Sequence, residues 1–292
     1  MTDRRRHLAN ARVAHVSLQG QVSADRFTEG EWRQVSVPRL ALLDGPSGAR
    51  DREVLMGESV LVLEDYQGMA FVTLQRDGHV GYVDSAALSA PPWTSTHYVS
   101  AVRSYAKATP DFKAYEPVLD LSFGSLLSVT GTSGLWSEIA LRAPDDPMRT
   151  RAFVPTAHLQ HIDMLPDDPV AVAELFLGTP YLWGGNSAFG IDCSGLVQMG
   201  LLACGIACPG DSDMQAKELG ESVTDQSYLR GDLLFWKGHV AWVADAKTIL
   251  HANVHHMSVA YEPLDEAIAR IEAQGDGPVT RHARLTKEEI NV

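Results

Sequence analysis

Cys193 sits where a thiol can do nucleophilic work. In Ile191-Asp192-Cys193-Ser194-Gly195-Leu196-Val197-Gln198 a capping residue, Asp192, precedes an apolar run through Leu196, Val197, Met199 and Leu201 that reads as a helix. The unpaired N–H groups and the macrodipole at a helix N-terminus favour an anion, either a thiolate or the oxyanion of an acyl-transfer intermediate. A nucleophile needs a base. His239 follows Gly238 and opens the strand-like run VAWVAD, and His251 lies in ILHAN, twelve residues further on and equidistant with it from Asp245. A hairpin with an odd loop centred on Asp245, such as Ala244 to Ala246, would set the two imidazoles directly opposite on one sheet face. One could then orient the other as the third member of a triad.

Zinc is the rival use of these residue types, since Cys193, Cys204 and Cys208 share the segment with several histidines. Cys193 and Cys204 fall on what reads as one helix, roughly 16 Å apart by the helical rise, too far to share a metal. Cys204 and Cys208 are read as small apolar residues near the helix end. No metal or other cofactor is expected. His255 and His256 have no assigned role, and Gly184-Gly185 marks a turn, because no P-loop spacing accompanies it.

The elements that must position these groups appear after Pro169, where the character of the chain changes. Val170 to Leu177 is helical in composition, and Leu233 to Phe235, Val240 to Val243 and Thr248 to Ala252 read as strands, which together make an α+β domain. Two similar segments precede it. Met56-Gly57-Glu58 leads into VLVLE, Gly68, FVTL and GYVDSAAL, and Phe123-Gly124-Ser125 leads into LLSVT, Gly134, SEIAL and AFVPTAHL. Gly57 to Gly124 and Leu74 to Leu141 are 67 residues apart; Val83 to Val154 and Leu88 to Leu159 are 71 apart. The extra residues fit the turn from Ala143 to Pro147, where Pro and Asp favour a longer loop. Each copy reads as a small all-β barrel and resembles a bacterial SH3 domain. With Ser89-Ala90-Pro91-Pro92 and Pro166-Asp167-Asp168-Pro169 as linkers, the expected division is a lead over 1–34, barrels over 35–90 and 96–164, and a catalytic domain over 168–292.

Composition agrees with a globular protein: 292 residues, 45% hydrophobic and 21% charged. The net charge of −13, broken only by Arg4-Arg5-Arg6, argues against nucleic acid or an anionic membrane as partner. No apolar run of secretory or bilayer-spanning length occurs, and three clustered cysteines make no disulfide framework. The expectation is a cytoplasmic protein.

The stretch from about Thr179 to Val259 resembles the NlpC/P60 family of papain-like cysteine peptidases. The matched motifs are Thr179-Pro180-Tyr181-Leu182-Trp183-Gly184-Gly185, Asp192 to Gln198, Arg230-Gly231-Asp232-Leu233-Leu234-Phe235, the His239 strand and Leu250-His251-Ala252. With the two SH3-like units in front, the arrangement is similar to that of γ-D-glutamyl-L-diamino acid endopeptidases of the dipeptidyl-peptidase VI type. The opening Asp3-Arg4-Arg5 and Ala9 to Ala14 also look like the lead of that group. The resemblance implies Cys193 as nucleophile, His239 as base and acid, and His251 as its orienting partner. It further implies cleavage of the bond between γ-linked D-glutamate and a diamino acid, usually diaminopimelate, in murein peptides with a free N-terminal L-alanine. In the cytoplasm that reaction is peptidoglycan recycling. A free ammonium needs a carboxylate and acceptors beside the nucleophile, and Asp192 and Ser194 match the positions that serve this role in the family. Asp192 would also cap the helix. Tyr181 matches a tyrosine near the nucleophile, whereas Trp183 is read as a core aromatic. Ser212, in Pro209-Gly210-Asp211-Ser212-Asp213, belongs to a second substrate-lining segment or caps the helix that follows. The family commonly has arginine after that proline, and Gly210 stands there instead. In related proteins the first SH3-like domain closes one end of the cleft, which nominates Tyr82 as a wall residue and Glu53 or Glu58 as an amine partner. Two other readings share these features: a papain-like amidase or acyltransferase, since fold and triad do not fix the bond attacked, and a catalytically silent wall-peptide-binding protein.

Overall fold

The computed structural model describes residues 3–116, 118–142, 150–224, 227–286 and 289. Its contacts divide the chain into two compact units, Met1–Met164 and Leu165–Val292.

In the first unit the run Val60-Leu61-Val62-Leu63 is apolar at successive positions, so a strand of period 2 must bury both of its faces. Val60 and Val62 enter the barrel core with Val35, Leu42, Val72 and Val83. Leu61 and Leu63 join Phe71 and Val80 on the outer face, where Leu8 and Val13 of the N-terminal lead cover them. The lead is fastened at its edges: Arg4 forks onto Asp51 at 2.7 and 2.9 Å, and Arg12 pairs with Glu64 at 2.7 Å. Its last strand, Glu31–Val35, hydrogen-bonds between Ser59–Tyr66 and Leu88–Ser89 in a seven-stranded sheet. The first sheet therefore begins within the segment that the sequence assigns to the lead.

The second copy is built from three small sheets, which share one core of Val99, Leu121, Leu127, Ile139, Val154 and Leu159. The repeat is visible in the backbone. Gly57 and Gly124 have φ +85° and +84°, a left-handed conformation that glycine adopts at little cost. Single 3₁₀ turns follow at Ser85–Ala87 and Thr156–His158. The turn expected to absorb the extra residues, Ala143 to Pro147, lies outside the described residues.

The second unit opens with helix α1, Pro169–Glu174, whose Asp168 cap accepts from the N–H groups of Val170 and Ala171 at 2.9 and 3.1 Å. Helix α2 is Cys193–Ala203 and helix α3 is Ser212–Glu218. An antiparallel sheet follows in the order Glu221–Ser222, Arg281–Arg284, Leu233–Trp236, His239–Asp245, Thr248–Asn253, Ser258–Pro263. Helix α4, Leu264–Ile271, places Leu264, Ala267 and Ile271 on one face and packs them onto Leu234, Trp236, Ala241, Val243 and Ile249. Helix α2 packs against the strands His239–Asp245 and Thr248–Asn253. Its Gly200 lies against the Pro169 carbonyl and Trp242, where an added Cβ would come within 2.6 Å of the carbonyl oxygen.

Candidate active site

Asp192 organises the start of α2. One carboxylate oxygen accepts the Gly195 N–H at 2.7 Å and the Ser194 hydroxyl at 3.1 Å; the other accepts the Gly184 N–H at 2.9 Å. Cys193 is thereby held at the first position of the helix, buried, among N–H groups that favour negative charge on sulfur or on an adjacent oxyanion. Gly195 permits this closure, since a Cβ there would lie 2.5 Å from the Gly185 oxygen. Buried Gln215 of α3 ties the site from below by donating to the Ser194 and Pro209 carbonyls at 2.9 Å each.

His239 and His251 meet at 2.9 Å, Nε2 of the first to Nδ1 of the second. They are not directly opposed. Trp242 pairs with Leu250 and Val243 with Ile249, and a bulge then lets Asp245 face Thr248. Extending the Trp242 register sets His251 across from Ala241, so the two rings are diagonal neighbours on one face. The cause is the turn: Asp245 accepts the Lys247 N–H at 2.8 Å and closes a tight two-residue connection. The spare residue goes into the bulge rather than into a loop centred on Asp245.

His251 is fully buried, and its Nε2 lies 3.0 Å from Glu262 on the neighbouring strand. Arg270 of α4 grips both oxygens of Glu262, at 2.8 and 2.7 Å. Burial works against the Glu262 charge, but Arg270 and His251 outweigh it and hold the carboxyl well below the usual carboxylate range. Burial, followed by the adjacent His251 and Arg270, presses the His239 pKa down to about 3. Burial also lowers that of His251, against the opposing pull of Glu262. Both rings are therefore neutral near pH 7. Among the described residues, ligand atoms of His251, His256 and Glu262 lie within 4.8 Å of one another. The Arg270 fork on Glu262 makes that group an ion pair rather than a cation seat.

The other nominated residues divide. Tyr181 bridges to Ile191, two residues before the thiol, and its N–H donates to the Met257 carbonyl. Trp183 is no core aromatic; it is 67% exposed. Ser212 is the first residue of α3, with Asp211 in the cap position, so it does not cap that helix. In the first unit the Tyr82 hydroxyl accepts from Asn10 at 3.2 Å while its ring packs on Phe71. Glu58 is engaged by Arg76 and the Leu55 N–H, and Glu53 is buried near Arg39. The sequence reading missed Glu262, Arg270 and Gln215. An acidic residue in SVAYEP with an arginine one helix later was the only available signal.

A buried thiol at a helix start, on a helix packed against a sheet that carries a hydrogen-bonded imidazole pair, is the layout of papain-like cysteine peptidase domains. Comparison with known proteins makes the likeness particular: residues 178–273 match the NlpC/P60 family, and residues 42–88 match the bacterial dipeptidyl-peptidase Sh3 domain. "Dipeptidyl-peptidase 6" of Lysinibacillus sphaericus is 36% identical over 100 residues, 34% of this chain and 37% of that protein. "Gamma-D-glutamyl-L-lysine dipeptidyl-peptidase" of Bacillus subtilis is 30% identical over 161 residues, 52% of this chain and 53% of that protein. The chain thus spans about half or less of the length of these relatives. An NlpC/P60 family protein from Bacillus cereus has the same fold, with a TM-score of 0.72 over 87% of this chain and 99% of that one, at 19% identity. Among the described residues no helix is long and apolar enough to cross a membrane.

Proposed function

We propose that the protein is a cysteine endopeptidase that hydrolyses the γ-D-glutamyl–diamino acid bond of cell-wall muropeptides with a free N-terminal L-alanine, in peptidoglycan recycling. The observation that carries this reading is the half-buried hydrogen bond between His239 and His251 on strands packed against the helix that Cys193 opens. In the proposed reaction the Cys193 thiol proton passes to neutral His239, and Sγ bonds to the glutamyl carbonyl carbon. The N–H groups at the start of α2 hold the oxyanion, and the diamino acid amine leaves with the proton from His239. Water then attacks the thioester, giving its proton to His239, and the departing sulfur recovers it. Asp192 and Ser194, buried beside the thiol, offer the carboxylate and hydroxyl suited to a substrate ammonium, with Tyr181 alongside and Ser212 in the second lining segment. Two curated relatives carry the γ-D-glutamyl linkage in their names, with L-lysine as the diamino acid. Three cysteines, too few and too clustered for a disulfide framework, suit the reducing cytoplasm in which this reading places the reaction.

The test is incubation with L-Ala-γ-D-Glu-meso-diaminopimelate, its L-lysine counterpart and the N-acetylated forms, followed by mass spectrometry. Release of L-Ala-γ-D-Glu from the free-amine peptides alone is expected, and Cys193→Ala should abolish it while sparing binding. Equal cleavage of acetylated peptides would remove the free-amine requirement, and cell fractionation tests the location.

A further inference from the structure

We propose that Glu262 and Arg270 are positioning residues that fix which nitrogen of His239 is free to take a proton. The inference rests on the reading of Cys193 and His239 as the reacting pair. Arg270 is a cation at any accessible pH and has only donors to offer. It donates to both oxygens of Glu262, at 2.8 and 2.7 Å, so Glu262 is a carboxylate and only accepts. The contact of 3.0 Å between Glu262 and His251 Nε2 then requires the hydrogen on that nitrogen. A neutral imidazole has one N–H, so Nδ1 of His251 is an acceptor. The 2.9 Å contact from His239 Nε2 to that atom places the single hydrogen of neutral His239 on Nε2. Nδ1 of His239 is left with its lone pair, as the base that accepts the thiol proton must be. A single direction of donation runs from His239 through His251 to Glu262.

The same chain acts when His239 is protonated. The imidazolium still donates through Nε2 to neutral His251, whose own Nε2–H stays on Glu262, so the Glu262 charge favours the cation with no hydrogen moved, while Arg270 limits how strongly it does so. A carboxylate that orients a catalytic imidazole has a known magnitude in serine peptidases, where replacing it by its amide lowers kcat by about 10⁴ through the wrong tautomer. Glu262 acts one ring further away. In Glu262→Gln the amide can present either O or NH₂ to His251, and the NH₂ orientation reverses every hydrogen in the chain.

The experiment combines kinetics with histidine NMR on the full chain. For Glu262→Gln, kcat should fall about tenfold or more with KM within about twofold of the parent. Two-bond ¹H–¹⁵N spectra of ¹⁵N-histidine protein should show His239, identified by the signals lost in His239→Asn, changing from one Nε2–H tautomer to a mixture. A parent-like kcat together with an unchanged Nε2–H tautomer overturns the proposal. Arg270→Gln supplies a second test that does not need Glu262→Gln to fold: with its cation removed, Glu262 should move the pH profile of kcat/KM to higher pH by about half a unit or more, and an unmoved profile overturns the proposal. The tautomer is read without substrate. Failure of the parent protein to cleave any wall peptide would therefore sink the function while the spectra still decide this inference.

Discussion

The folded protein keeps His239 and His251 neutral, whereas the unfolded chain protonates both near pH 6.5. Below that pH the unfolded state binds more protons than the folded one, so stability falls as pH falls, at up to about 1.4 kcal/mol per pH unit for each ring. For His239 this continues to its folded pKa of about 3. Glu262 adds to the loss only below about pH 4.3, the unfolded carboxylate range, because its folded pKa is depressed. Urea unfolding at pH 7.5, 6.0 and 5.0 should therefore show a declining midpoint that begins well above the carboxylates, and His251→Asn should flatten the decline by about one proton. An identical midpoint at all three values would contradict neutral burial. Single-residue roles were unevenly legible in the sequence. Asp192 announced itself because a cap stands next to the helix it starts. In Gly210-Asp211-Ser212 two neighbours are competent caps, and side-chain chemistry does not choose between them. Glu262 and Arg270 reach His251 only through strand pairing and helix packing, and neither leaves a spacing signature beside it.

At the scale of elements, the site depends on how closely the 184–185 turn approaches the start of α2. Gly195→Ala puts a methyl group 2.5 Å from the Gly185 oxygen, and backbone on one side with helix on the other gives little room to yield. The expected result is a loss of about 1–3 kcal/mol in stability together with a large loss of activity, measured by denaturant unfolding and turnover. Ala at Gly131, where a Cβ meets nothing within 4 Å, is the matched control and should leave both unchanged. The strands on either side of Asp245 could be read from their β-branched and aromatic runs, but their register could not. A two-residue turn with a bulge and a three-residue loop use the same number of residues, and the choice was made by the Asp245 side chain bonding to the Lys247 N–H.

For the whole molecule, the internal repeat was legible because a glycine at positive φ and the turn after Val83 or Val154 constrain sequence wherever the fold recurs. The role of the lead was not, since an alternating strand normally hides one face and VLVLE gives no sign of what hides the other. Deleting residues 1–29 should uncover Leu63, Phe71 and Val80, with increased binding of a hydrophobic dye and association of the protein in sedimentation. A truncated chain that stays monomeric and dye-silent would show that the cover is dispensable. The position of that cover in the chain also sets an order in time. Val13 packs with Val80, which is synthesised 67 residues later, a wait of about 3–13 s at ribosomal rates. The protecting segment is thus made before the surface it protects, and the outer apolar face of the first barrel emerges from the ribosome with its partner already outside.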